Sequence, residues 1–175
     1  MATMILLPDG SNNESAHWII VGAGSFEDAL DSDDGSTSYM KCDDVNEALQ
    51  IEFAAPSVAE GDIASIDSVR FLNSGKSAHR SATTRCSLLY NVPSGIAAET
   101  ATYNAHRTNF TTVNGTARTT SDGSSAAWTY ANLEDLQMRC TLASIVEVYV
   151  SYLAIEVTYT EAVSADNATF FGANF

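Results

Sequence analysis

Basic side chains are scarce in this 175-residue sequence: eight Lys and Arg stand against 22 Asp and Glu, for a net charge of −14. Contacts to a phosphate backbone need clustered Lys and Arg. Here Lys41, Arg70, Lys76, Arg80, Arg85, Arg107, Arg118 and Arg139 are scattered, so nucleic acid is excluded as a partner. Cysteine is sparse as well. Cys42, Cys86 and Cys140 form no CxxC pair and have no neighbouring histidine, which excludes a cysteine-ligated zinc site or a dense disulfide scaffold. They are expected to be buried thiols of a protein made in a reducing compartment. No apolar run reaches the roughly 18 residues that a membrane-spanning helix needs. The start, MATMILLPDG, has neither a basic opening nor a long apolar stretch, so no signal peptide and no membrane partner are expected.

Catalytic signatures are missing too. There is no G-x-S-x-G elbow, no HExxH and no Walker loop, and His17, His79 and His106 lie far apart. The Gly22–Ser25 stretch GAGS lacks the third glycine and the following βαβ pattern of a nucleotide site. The expectation is a protein that is not an enzyme. Glu147 and Glu156 are the one carboxylate pair worth weighing for glycoside hydrolysis, but by strand alternation both point to solvent.

What the chain has is neutral hydroxyl surface. Charged residues are 17%, against about a quarter in ordinary domains, and 37 Ser and Thr take their place. Such a surface suits sheets, where the β-branched Thr packs well, and not long helices, where these side chains compete for backbone bonds. Leu49, Ile51, Phe53 and Ala55 alternate with Gln50 and Glu52 ahead of Pro56, the pattern of a half-buried strand. A second strand is expected from Ile63 through Val69 and Phe71, closed by Asn73, Ser74 and Gly75, and a third over Thr84–Tyr90. Asn114-Gly115 signals a hairpin, because both residues tolerate positive φ, and Asp122-Gly123 a further turn. ANLEDLQMRC is the one helix-like piece, one or two turns in which Leu133, Leu136 and Met138 line up.

The clearest strand runs from Ile145 to Tyr159. Val146, Val148, Val150 and Tyr152 occupy even positions, whereas Leu153, Ile155, Val157 and Tyr159 occupy odd ones. A change of phase at Tyr152–Leu153 predicts one extra residue in the ladder, a β-bulge, or a strand passing between sheets at a corner. No segment is long enough to serve as the crossover helix of a parallel sheet. The fold expected is all-β, an antiparallel β-sandwich of jelly-roll or related Greek-key type with one short helical turn. Residues 1–15 form an N-terminal arm or edge strand, 16–162 the sandwich, and 163–175 a C-terminal tail open to subunit contact.

Three segments together, HWIIVGAGSFEDALDSDDGSTSYM, AAWTYANLEDLQMRCTL and VEVYVSYLAIEVTYT, resemble the small β-sandwich structural proteins of tailed bacteriophages used as capsid decoration, head-fibre or tail-fibre modules. The resemblance implies a virion component, made in the host cytoplasm, acting as a homo-oligomer on a major capsid or tail protein and carrying no catalytic residue. On that reading Tyr149, Phe170, Phe171 and Phe175 are subunit contacts. Tyr149 has two further readings: a cross-strand partner within the sheet, or a platform for a glycan in a carbohydrate-binding module. Asp31, Asp33 and Asp34, with Glu27 nearby, offer hard oxygen ligands for Ca²⁺ or else a solvated turn, while Asp43, Asp44 and Glu47 read as surface.

Overall fold

In the computed structural model of the chain, residues 1–13, 17–32, 37–44, 47–77, 83–89, 101–104, 109–121, 125–142 and 147–163 are described. They form two antiparallel sheets. The strands are β1 (Ala2–Leu6), β2 (Pro8–Asn13), β3 (Trp18–Val21), β4 (Tyr39–Cys42), β5 (Ala48–Phe53), β6 (Ile63–Ser77), β7 (Thr83–Leu89), β8 (Ala101–Asn104), β9 (Thr111–Asn114), β10 (Gln137–Leu142) and β11 (Val148–Glu161). One sheet runs β3-β4-β11-β6-β9, with β1 also paired to β11; the other runs β2-β5-β10-β7-β8. The chain passes repeatedly from one sheet to the other, the first time at Leu7, whose carbonyl accepts from the Ala54 N–H at 2.9 Å. Both layers are thus stitched together throughout, as the all-β sandwich expectation requires.

The core lies between the layers. β5 alternates strictly, burying Leu49, Ile51 and Phe53, and Met138 and Cys140 of the adjacent β10 join them. From the other sheet come Met40 and Cys42, Val69 and Phe71, and the apolar residues of β11. Leu133 and Leu136 are buried beside them. Trp18 and Trp128 are buried too, only 6% and 4% exposed.

β11 keeps the predicted change of side. Val148 and Val150 are buried, then Leu153, Ile155, Val157 and Tyr159. The irregularity sits where β11 has one residue more than β6: Val150 faces Gly75 and Tyr152 faces Ser74, leaving Ser151 as the bulge. Tyr152, taken from its even position as an inward residue, is instead half-buried on the outer face. Val146 and Ile145 lie outside the described residues.

Two local turn signals are corrected. Asn73, Ser74 and Gly75 do not end a strand; β6 runs through them as far as Ser77, and all three are buried opposite the bulge. Their polar, small character suits a crowded position against Ser151, whose hydroxyl lies 3.5 Å from the Ser74 carbonyl. Asn114-Gly115 forms no hairpin either. β9 runs beside β6, the Gly115 N–H donates to the Phe71 carbonyl at 2.8 Å, and the chain continues to a bridge between Arg118 and Val69. The need for glycine there is close approach: a Cβ on Gly115 would stand 2.6 Å from the Phe71 ring. The Asp122-Gly123 turn lies outside the described residues.

Two short α-helices stand between strands. α2 (Tyr130–Glu134) starts one residue before the expected helical stretch and covers only its first four residues, and it begins with a capping box: the Thr129 hydroxyl accepts from the Asn132 N–H at 3.2 Å, and the Asn132 side chain accepts from the Thr129 N–H at 3.0 Å. The following residues, Gln137–Leu142, are strand, so Met138 belongs to β10. α1 (Phe26–Leu30) was not anticipated. Its signal is Ser25 followed by Asp28, whose N–H donates to the Ser25 hydroxyl at 3.2 Å, and it buries Phe26, Ala29 and Leu30.

Gly115→Ala is expected to destabilise the fold by about 1–3 kcal/mol, the range for overpacking a filled core, seen as a lower urea midpoint with unchanged slope. An unchanged midpoint would show that the Phe71 ring has room to withdraw.

Candidate functional site

The outer face of the first sheet gathers the most concentrated chemistry among the described residues. Tyr149 on β11 stands between Lys41 on β4 and Lys76 on β6, its direct cross-strand partners. Tyr39, two residues before Lys41, shares its face by strand alternation. Phe110 precedes β9, whose Thr111 pairs with Gly75, so it reaches the Lys76 row.

The three rings surround one cation. The Tyr39 and Tyr149 rings meet edge to face, with centroids 5.4 Å apart at 72°, and Tyr39 and Phe110 are tilted at 5.9 Å. The Lys76 Nζ lies 4.6 Å from the Phe110 centroid, 4.9 Å from Tyr149 and 5.9 Å from Tyr39, inside cation–π range for all three. On the other flank the Tyr149 hydroxyl donates to Glu147 Oε2 at 2.6 Å, and Glu147 is ion-paired with Lys41. All six side chains are half-buried.

The electrostatics follow from this chain of contacts. The hydrogen bond from Lys41, then that from Tyr149, holds the Glu147 carboxyl below the usual carboxylate range. The bond to Glu147 raises Lys41 in turn. Donation to a carboxylate, with burial adding to it, pushes the Tyr149 phenol up to about 12, so it stays a neutral donor across the physiological range. Ser74 lies on the same face as Lys76 by strand alternation; its hydroxyl is buried and has no hydrogen-bond partner among the described residues.

Glu156, the other carboxylate weighed for glycoside hydrolysis, is bound to Arg70 Nε at 2.7 Å, and Glu147 is held by Lys41. Each outward carboxylate is therefore engaged in its own ion pair.

The acidic residues divide differently from the expectation. Asp31 is exposed at the end of α1, and Asp33 and Asp34 lie outside the described residues. The structure instead brings together His17, Asp44 and Glu47, with ligand atoms all within 4.8 Å of one another. His17 Nδ1 is 3.4 Å from Asp44 Oδ2. These three can offer an imidazole nitrogen and two carboxylates to a divalent ion, at the open end of the β3-β4 pair. Sequence distance hid this grouping: His17 precedes β3 while Asp44 and Glu47 follow β4, and only the pairing of Trp18 with Cys42 joins them. Beneath them Cys42 is a buried thiol whose pKa is raised by burial, and Cys140 is likewise buried; among the described residues neither is in a disulfide.

Of the expected contact residues, Tyr149 is at the centre of the aromatic group, whereas Phe170, Phe171 and Phe175 lie outside the described residues. Two small clefts stand elsewhere. One, of about 220 Å³, is bordered by Glu60, Ile63, Ser65, Trp128 and Tyr130. The other, of about 170 Å³, is bordered by Glu52, Glu134, Asp135 and Gln137, and there Gln137 Nε2 already donates to Glu52 at 3.3 Å.

No protein-family model matches the chain, and no curated protein matches it. Solved structures do. The chain is similar to a family 2 carbohydrate esterase from Cellvibrio japonicus (10% identity, TM-score 0.38), with 93% of this chain and 35% of the esterase covered. It is also similar to a family 29 carbohydrate-binding module, CBM29_1, from Piromyces equi (11% identity, TM-score 0.39; 89% and 91% covered), and to CBM4 (13% identity, TM-score 0.34; 83% and 86% covered). This chain spans about a third of the esterase.

These matches overturn the resemblance to tailed-phage structural proteins, and with it the virion location, the phage homo-oligomer and the capsid or tail partner. The reason is physical. The segments that carried the resemblance are the buried Trp18, Trp128, Leu133 and Leu136 and the last strand, residues that any sandwich of this size uses to fill its core. At such low identity the matches do not transfer the activity or ligands of those proteins.

An ultraviolet pH titration is expected to show one phenol, absent in Tyr149→Phe, ionising near 12. Glu147→Gln is expected to return it towards 10, since the charged acceptor is the main cause of the shift.

Proposed function

We propose that this chain is a noncatalytic carbohydrate-binding module whose binding surface is the outer face of the first sheet around Tyr149. The observation that carries the reading is the joining, on one face, of three aromatic rings with an ammonium and a carboxylate–phenol pair. A pyranose has two kinds of surface. Its C–H faces pack against aromatic rings, and its rim of hydroxyls bonds charged and polar groups. A site with apolar area and a few fixed polar atoms meets both needs. Strand backbones hold Tyr39, Lys41, Lys76 and Tyr149, and Glu147 and Phe110 each stand one residue ahead of a strand, so little ordering is left to be done on binding.

Affinity electrophoresis through gels containing soluble plant and microbial polysaccharides tests this. Retardation by at least one of them is expected, and Tyr149→Ala should weaken it by about tenfold or more, equivalent to about 1.4 kcal/mol. Circular dichroism serves as the check that the variant stays folded. Wild-type mobility in Tyr149→Ala and Tyr39→Ala, or no retardation by any glycan, would falsify the reading.

The divalent-ion group has a finer assignment. Ca²⁺ takes oxygen ligands almost throughout, whereas an imidazole with two carboxylates suits Zn²⁺ better. Zn²⁺ near a hundredfold above its Kd is expected to raise Tm by about 5–10 °C, with His17→Ala abolishing the shift. A shift with Ca²⁺ alone would reverse the assignment.

A further inference from the structure

Lys76 differs from the other cations whose contacts are known on this sheet. Lys41 is bound to Glu147 and Arg70 to Glu156. The Lys76 ammonium meets three rings and, among the described residues, no carboxylate. In a chain with 22 acidic side chains and eight basic ones, an acid partner is the arrangement that composition favours. Rings attract a cation through their faces without neutralising it, so its charge remains available to a ligand at the centre of the aromatic group.

We propose that the glycan bound here carries isolated carboxylates, as a neutral polysaccharide bearing occasional uronic acids does, and that Lys76 pairs with one of them. The inference rests on the carbohydrate-binding reading above.

The overall charge sets the spacing of those carboxylates. At −14 the protein repels a polyanion, and each further carboxylate on the ligand adds to the cost without a second unpaired cation to meet it on this face among the described residues. One carboxylate at Lys76 acts within the roughly 8 Å over which charges interact at physiological salt, where the single ammonium decides. The aromatic rings serve the neutral sugars beside it. A chain charged at every sugar, such as polygalacturonate, satisfies Lys76 once and is repelled everywhere else.

The test uses isothermal titration of the intact protein with glucuronoxylan, highly methyl-esterified pectin and polygalacturonate, each beside its carboxyl-reduced form. Wild-type protein is expected to bind glucuronoxylan or the esterified pectin about tenfold more tightly than the reduced polymer, the scale of one charge-assisted bond. Polygalacturonate is expected to show no such gain at low salt. Lys76→Met should bring the native-to-reduced affinity ratio down to about one, whatever its overall affinity, and Lys76→Arg should keep the ratio of the wild type. Equal binding of native and reduced polymers overturns the role of Lys76 but leaves the platform standing. Tight binding of polygalacturonate overturns the spacing argument, and binding of none of the six sinks this inference, while retardation by another glycan in the gels would leave the reading beneath it standing. If Lys76→Met fails to fold, the native-to-reduced ratio of wild type and Lys76→Arg still decides.

Discussion

One strand must satisfy three neighbours at once, and the rest of the structure depends on how it does so. β11 pairs with β6 along nearly its whole length, while its other edge is shared between β4, at Val148–Val150, and β1, at Ile155–Tyr159. A strand has period two, so a single register cannot be altered for one partner without reversing every side chain facing the others. The extra residue at Ser151 removes the conflict. It lets Val148 and Val150 face inward beside β4, and Ile155, Val157 and Tyr159 face inward beside β1, although the two groups differ by an odd number of positions. The same device fixes Tyr149 on the outer face, directly between Lys41 and Lys76.

This explains why the outer-face group is scattered in sequence yet compact in space. Tyr39, Lys76, Phe110 and Tyr149 come from four separate segments, and only the order β4-β11-β6-β9 places them together. Their mutual contacts then fix them in turn. Lys41 holds Glu147, Glu147 accepts from the Tyr149 hydroxyl, and the Tyr149 ring meets Tyr39 and the Lys76 ammonium. Exposed ion pairs contribute little to stability on their own. Here the pair does something else: it fixes the angle of a phenol and keeps it protonated.

The parts of this fold that could be read from sequence are those where burial follows local period. β5 was legible because Leu49, Ile51 and Phe53 alternate with Gln50 and Glu52. The change of side in β11 was legible because valines at even positions give way to Leu153 and Ile155 at odd ones. Where a neighbour decides, the same reasoning failed. Gly115 looks like a turn residue from its own segment, but the Phe71 ring on β6 is what demands it. Asn73-Ser74-Gly75 looks like a loop, but it fills the space beside the bulge of another strand. α1 was missed although Ser25 and Asp28 spell its cap, because its five residues hold too little periodicity to stand out. In the site, alternation against the buried Val148 and Val150 puts Tyr149 on the outer face. Its partners across the sheet, and the meeting of His17 with Asp44 and Glu47, required the strand order, which no single stretch of sequence contains.

Placing the site on strands has an energetic consequence for what it recognises. Ordering a rotamer-rich side chain on binding costs about 0.5–1.5 kcal/mol, and a glycan of few sugars returns little more per contact. Three rings already in contact with one ammonium have met most of that cost during folding, when hydrophobic burial on the opposite side of the same strands supplied the driving force. The inner face of β11 thus stabilises the geometry of its outer face: Val148 and Val150 in the core keep Tyr149 where it is. A substitution that loosened those valines would disturb the outer face without touching any residue on it, because the side chains of one strand cannot be repositioned separately on its two faces.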